Sequence, residues 1–131
     1  MALIEIVRDV HLCQDEAWSR LTDWQRHGDF VPLTSIRVTP SGFVAHTGLG
    51  PLAFDDPMEI VSWDPPSFCR LEKRGRVVTG WAELGVIDLD GRTQVVWRED
   101  IHVTGLPRWA DGLTKASSAK LFGRVIDGLL G

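Results

Sequence analysis

The stretch VVTGWAELGVIDLDGRTQVVWREDIHV, Val77 to Val103, decides the fold. Two runs rich in β-branched and aromatic residues flank Asp90-Gly91, a dipeptide suited to the positive-φ positions of a tight hairpin turn. With that pair as the turn, residues equidistant from it lie opposite each other: Val95 and Val86, Trp97 and Leu84, Glu99 and Ala82, Ile101 and Gly80, Val103 and Val78. One face of the second strand then carries Thr93, Val95, Trp97, Glu99, Ile101 and Val103, and the other carries Gln94, Val96, Arg98, Asp100 and His102. Arg98 meets Glu83 on that second face, an opposite-charge cross-strand pair. A slip by one residue would turn every side chain to the wrong face, so the apolar row pins the register. Glu99 is the carboxylate within that row, beside the small residues Gly80 and Ala82.

The same pairing extends outward. A tight turn at Arg74-Gly75 places Leu71 opposite Val78 and Cys69 opposite Gly80. A longer turn over Asp64 to Ser67 places Ser62 opposite Cys69 and Ile60 opposite Leu71, with Met58 next inward. The inner face of these successive strands collects Met58, Ile60, Ser62, Cys69, Leu71, Val78, Ala82, Leu84, Val86, Val95, Trp97, Glu99 and Ile101. Most are apolar and several are small, which suits either close helix–sheet contact or an enclosed cavity.

Leu3 to Val10 reads as a strand, followed by a helix capped by Asp15 with Trp18, Leu21 and Trp24 on one face. A second short helix or turn follows, closing at Gly28 or at Phe30-Val31-Pro32. Ser35–Thr39 and Phe43–Thr47 read as a hairpin, Ala53–Trp63 as a strand with Pro57 at a bulge or edge, and Phe68–Lys73 as another strand. Arg108 to Leu130 holds no proline and carries Trp109, Leu113, Ala116, Ala119, Phe122, Gly123, Ile126, Leu129 and Leu130 at helical spacing, with Lys120 at the margin. The order is strand, helices, an antiparallel meander and one long C-terminal helix. That is an α+β arrangement with helices on one face of an antiparallel sheet.

At 131 residues with a net charge of −4, the chain has the size of one domain, 1–131; its densest basic run, Lys73-Arg74-Gly75-Arg76, reads as a polar hairpin tip and not as the clustered basic surface that phosphate binding needs, so no nucleic-acid partner is expected. Met1 to Asp9 alternates apolar and charged residues instead of forming a signal peptide, and no segment is long enough to span a bilayer; the expected location is cytoplasmic. Cys13 and Cys69 suit a reducing compartment as buried thiols and make no zinc or CxxC spacing. No cofactor and no metal are expected.

In this arrangement the chain resembles a family. Cys13-Gln14-Asp15-Glu16-Ala17-Trp18-Ser19-Arg20-Leu21-Thr22-Asp23-Trp24 looks like the first helix of the START and birch-pollen-allergen superfamily, often called SRPBCC. Met58-Glu59-Ile60-Val61-Ser62-Trp63-Asp64-Pro65-Pro66 looks like its strand and Trp-x-Pro-Pro turn, and Gly91-Arg92-Thr93-Gln94-Val95-Val96-Trp97 like its Gly-x-Thr-x-Val-x-Trp strand. The Cys13-Gln14 entry departs from the proline-containing helix entry of many members. The resemblance, closest in kind to small bacterial polyketide cyclase/dehydrase-like members, covers the whole chain. It implies a helix-grip fold: a curved sheet of about seven strands around a long C-terminal helix, with two short helices after the first strand. It further implies a cavity for a lipid, polyketide or similar hydrophobic molecule.

Glu99 is the candidate anchor or general acid/base, since burial would raise its pKa; Lys120 is its candidate ion-pair partner. The candidate ligand-binding set is Met58, Ile60, Cys69, Leu71, Ala82, Leu84, Trp97, Glu99, Ile101, Ala119, Lys120 and Phe122. Outside it, His27-Gly28-Asp29 reads as a turn, His46 and His102 as surface residues, and Asp55, Asp56 and Glu59 as a solvated edge. Three functions stand open. The chain is a binder of a hydrophobic small molecule, an enzyme of the cyclase/dehydratase kind using Glu99, or an interaction module with a filled cavity. One inward carboxylate without a second inward acid, base or nucleophile favours the binder.

Overall fold

The computed structural model describes residues 2–105 and 111–131. Along them run β1 (Ala2–Val10), α1 (Gln14–Leu21), α2 (Trp24–His27), β2 (Thr34–Thr39), β3 (Gly42–Thr47), β4 (Phe54–Asp64), β5 (Phe68–Arg74), β6 (Val78–Asp88), β7 (Thr93–Val103) and α3 (Asp111–Leu130). The strands form a 7-stranded antiparallel sheet in the order β1-β7-β6-β5-β4-β3-β2. α1 and α2 carry the chain from one sheet edge to the other. This is the α+β arrangement the sequence pattern calls for, in the helix-grip form that the resemblance implies.

The β6–β7 hairpin has the register read from its pattern, from Val78 opposite Val103 to Val86 opposite Val95. Asp90 at φ 57° and Gly91 at φ 107° make the turn, and the Leu89 N–H donates to the Arg92 carbonyl at 2.9 Å. A Cβ on Gly91 would meet nothing within 4 Å, so the cost of a side chain there is one of backbone alone. Gly91→Ala is expected to lower stability by about 1 kcal/mol without altering the fold, read by urea denaturation. Gly80 is more constrained: at φ 127°, a Cβ would collide with the Asp100 carbonyl oxygen. The Gly80–Ile101 pair lies two pairs along the ladder from Ala82 and Glu99.

Two neighbouring hairpins differ from expectation. β5 runs on through Arg74, which pairs with Thr79, so Leu71 faces Ala82 and Cys69 faces Leu84. The loop, in place of a tight Arg74-Gly75 turn, is tied to the end of β7: Thr104 donates its N–H to Val77 O at 2.7 Å and its hydroxyl to Arg76 O at 2.6 Å. The displacement is an even number of residues, so Cys69 and Leu71 keep their inward face. Between β4 and β5, Ile60 pairs with Leu71 as expected, but a bulge between Ile60 and Ser62 puts Trp63, not Ser62, opposite Cys69. Ser62 is exposed, while the Trp63 ring packs at 5.2 Å from that of Trp18. Pro57 lies within β4 just past its last pair with β5, Met58 with Lys73, so its missing N–H breaks no β4–β5 bond.

α1 begins one residue before the expected Asp15 cap, with no side-chain cap bond; Cys13 takes the N-cap position, which leaves its thiol exposed and not buried as expected. It stops where the Thr22 hydroxyl takes the Trp18 carbonyl at 2.8 Å, so Trp24 opens α2 instead of closing α1. Trp18, Leu21 and Trp24 are all buried. α3 lies over the inner face, presenting Val125, Ile126, Leu129 and Leu130 to the core, with Trp97 stacked on Phe122 at 5.5 Å. Ala116, expected on that stripe, is exposed. Trp109 and the side chain of Leu113 lie outside the described residues.

Candidate functional site

The inner face of the sheet divides into two zones. At the end covered by α1, Ile6, Cys69, Leu84, Val86 and Val95 are packed into a closed core. α1 is fixed there by Gln14, whose side-chain N–H donates to Val86 O at 3.0 Å. Toward the other end the small residues Ala45 and Ala82 leave space, and a cavity of about 220 Å³ opens between the sheet and α3. Every strand except β1 contributes to its wall.

Of the candidate residues, Met58, Leu71, Ala82, Trp97, Glu99, Ile101 and Phe122 line this cavity. Ile60, Cys69, Leu84 and Ala119 do not. Ile60 and Ala119 are half-buried against the core, and Cys69 and Leu84 lie at the closed end, both fully buried. Burial pushes the Cys69 thiol up to about 12, so it behaves as an apolar core group and not as a nucleophile. Lys120 is exposed on α3 and stands outside the cavity wall.

The cation beside Glu99 is Lys73. Its ammonium lies 2.8 Å from Asp56 Oδ2 and 3.9 Å from Met58 Sδ, and both members of the ion pair are buried. Lys73 is therefore not part of a polar hairpin tip, and Asp56 is not part of a solvated edge. Alternation carries Lys73 inward with Leu71 and Cys69, and carries Asp56 inward with Met58. Asp55, on the opposite face, is exposed and bonded to His46 at 2.6 Å.

Glu99 is 1% exposed. Desolvation pushes its pKa from 4.5 up to about 7; the Lys73 charge and the Trp97 indole pull it down, and the Asp56 charge adds to the rise. The indole lies close enough to favour the charged form, yet among the described residues neither Trp97 Nε1 nor Glu99 Oε1 has a partner at hydrogen-bond geometry. Asp56 Oδ1 is likewise buried without a partner. The cavity thus holds unmet hydrogen-bonding capacity of a kind that buried polar groups seldom keep.

His27 is the other polar group that the sequence reading did not place. It is buried at the end of α2, not in a surface turn, and lines the cavity. Its Nε2 lies 2.7 Å from the Leu21 carbonyl, and desolvation lowers its pKa, so it is neutral and donates that bond. Its ring lies 6.0 Å from that of Trp97. The spacing Trp18, Leu21, Trp24, His27 along one helical face was the available signal. Ser118, Leu121 and Val125 complete the α3 wall. Among the described residues no group of three His, Cys, Asp or Glu side chains is placed to hold a metal, and no helix is long and apolar enough to cross a membrane.

No protein-family model matches the chain, and no curated protein sequence matches it. Solved structures do. XoxI from Bacillus cereus aligns with a TM-score of 0.74 at 13% identity, over 99% of this chain and 94% of that one. A START superfamily protein from Mycobacterium smegmatis aligns at 0.71 with 8% identity, over 98% and 96% of the two chains. The ZhuI aromatase/cyclase from a Streptomyces species aligns at 0.64 with 18% identity, over 97% and 85%. At such identities the likeness is one of fold. The shared fold is the helix-grip fold, and in this chain its cavity is lined by a buried Asp56–Lys73–Glu99 cluster.

Proposed function

We propose that this chain binds a small, mainly apolar molecule in the cavity between the sheet and α3. The observation that carries the reading is an apolar space of about 220 Å³ with unpartnered polar atoms of Asp56, Trp97 and Glu99 in its wall. Its size lies below the ~300 Å³ at which drug-sized ligand sites begin. It exceeds the ~150 Å³ that suffices for benzene in an engineered apolar cavity. A substituted ring or a short chain fits this range better than a large lipid does. The free thiols Cys13 and Cys69 fit a reducing compartment, and a cytoplasmic location is part of the proposal.

Native mass spectrometry of the purified protein, followed by solvent extraction, tests this reading. A co-purifying small molecule is expected. Ala82→Leu, which projects carbon into the cavity, is expected to weaken its binding by at least about tenfold at a stability cost of no more than about 1–3 kcal/mol. Retained binding in that variant would place the ligand elsewhere. An empty protein that takes up no small apolar compound would favour the interaction module.

A second reading, an enzyme acting on the bound molecule, is favoured by one feature absent from the sequence-based picture. Glu99 has titratable company in Lys73 and Asp56, and its pKa of about 7 suits proton transfer near neutral pH. Glu99→Gln separates the two. A catalyst would keep binding and lose turnover, whereas unchanged binding and unchanged turnover would remove Glu99 from any functional role.

A further inference from the structure

We infer that the ligand of this cavity is a neutral molecule whose polar end is a hydroxyl, an alcohol or a phenol, and not the anionic head of a fatty acid or phosphate ester. The inference rests on the reading of the cavity as a ligand site and names the chemistry that site selects. Among the described residues lining the cavity, the charged side chains are Asp56, Lys73 and Glu99, two carboxylates against one ammonium. The ammonium is already held by Asp56 Oδ2 at 2.8 Å. His27 adds no positive charge, because its burial disfavours the protonated ring. Above about pH 7, where Glu99 is ionised, an anionic head group would therefore enter a site that already holds more negative than positive charge.

The unpartnered atoms select further. Asp56 Oδ1 and Glu99 Oε1 accept, and Trp97 Nε1 donates. Trp97 and Glu99 stand two residues apart on the same face of β7, so one compact group can address both. A hydroxyl donates one hydrogen bond and accepts others, so it can give its proton to a carboxylate oxygen and take the indole N–H. A hydrocarbon or an ether supplies no donor, and it would seal the carboxylate oxygen away from water unpaired. Phe43, Leu71, Ile101 and Phe122 leave an apolar body for the rest of the molecule.

The test uses three probes of matched shape: 4-propylphenol, its methyl ether and 4-propylbenzoate. Binding is measured by calorimetry at pH 8, with methyl NMR shifts of Leu71 and Ile101 reporting occupancy of the cavity. The phenol is expected to bind at least about tenfold more tightly than either analogue. In Glu99→Gln, which removes one carboxylate charge and leaves a weaker, neutral acceptor, the benzoate is expected to gain several-fold and the phenol to weaken several-fold. An ether or benzoate that binds as tightly as the phenol in the cavity overturns the inference and leaves the ligand-site reading intact. So does a benzoate affinity unmoved by Glu99→Gln. Failure of all three probes to shift the cavity methyls overturns both.

Discussion

Lys73→Met is expected to lower the folding free energy by about 3–5 kcal/mol at pH 8, the range for stranding one member of a buried ion pair. The pair with Asp56 is 2.8 Å long, and the side chains are 4% and 12% exposed, so water cannot replace the lost ammonium. The substitution nearly preserves length and apolar bulk, which isolates the charge. Asp56 keeps a buried carboxylate with neither oxygen paired to Lys73. Glu99 loses the neighbour that holds its pKa down, and so titrates above its present value of about 7. Adding Asp56→Leu to the same chain is expected to restore most of the loss, because apolar pairs commonly replace buried ion pairs without penalty. Urea denaturation of the single and double variants measures both effects. A loss below about 1 kcal/mol for Lys73→Met would show that the pair is far wetter than its burial implies.

Glu99→Gln is expected to act in the opposite direction and to depend on pH. The Glu99 pKa is raised from 4.5 in the open chain to about 7 in the fold. Between those values the native state holds a proton that the unfolded state has released, so stability falls as pH rises through that window and is level above it. At about 1.4 kcal/mol per pKa unit, the drop amounts to about 3 kcal/mol. Glutamine carries no charge to desolvate. The variant should therefore match the wild type near pH 4.5 and exceed it by up to about 3 kcal/mol at pH 8, with the decline over that window reduced. Chemical denaturation at half-unit pH steps checks this. Parallel profiles for the two proteins would show that Glu99 is ionised at no cost and that the cavity admits solvent.

Together these predictions describe a site maintained against stability. An apolar side chain at 99 would pack the same wall without a charge to bury. Buried carboxylates with perturbed titration cluster at functional sites, so the charged cluster, together with the apolar space it borders, carries the functional reading.

Strand alternation made much of the sheet legible. Asp90-Gly91 with alternating rows on either side set the β6–β7 register, because a one-residue slip would have put Trp97 and Ile101 in water. The spacing of Trp18, Leu21 and Trp24 marked the buried face of the first helices for the same kind of reason. The same alternation also held Lys73 and Asp56. Their charge points to polar surface, their parity with Leu71 and Met58 points inward, and their burial follows the parity. The bulge that turns Ser62 outward and Trp63 toward Trp18 has no comparable local signature. It depends on how α1 and β4 meet.

By itself the sequence determined an antiparallel meander gripping a C-terminal helix, and an inward carboxylate at Glu99, since both follow from periodicities of two and 3.6 residues that neighbours along the chain display. Only the tertiary structure decided where the inner face is filled and where it is open, and that Lys73 and not Lys120 stands by Glu99. Those outcomes depend on lateral placement across strands and on which part of the sheet α1 covers. Both are set by the packing of segments far apart in the chain, and no local pattern encodes them.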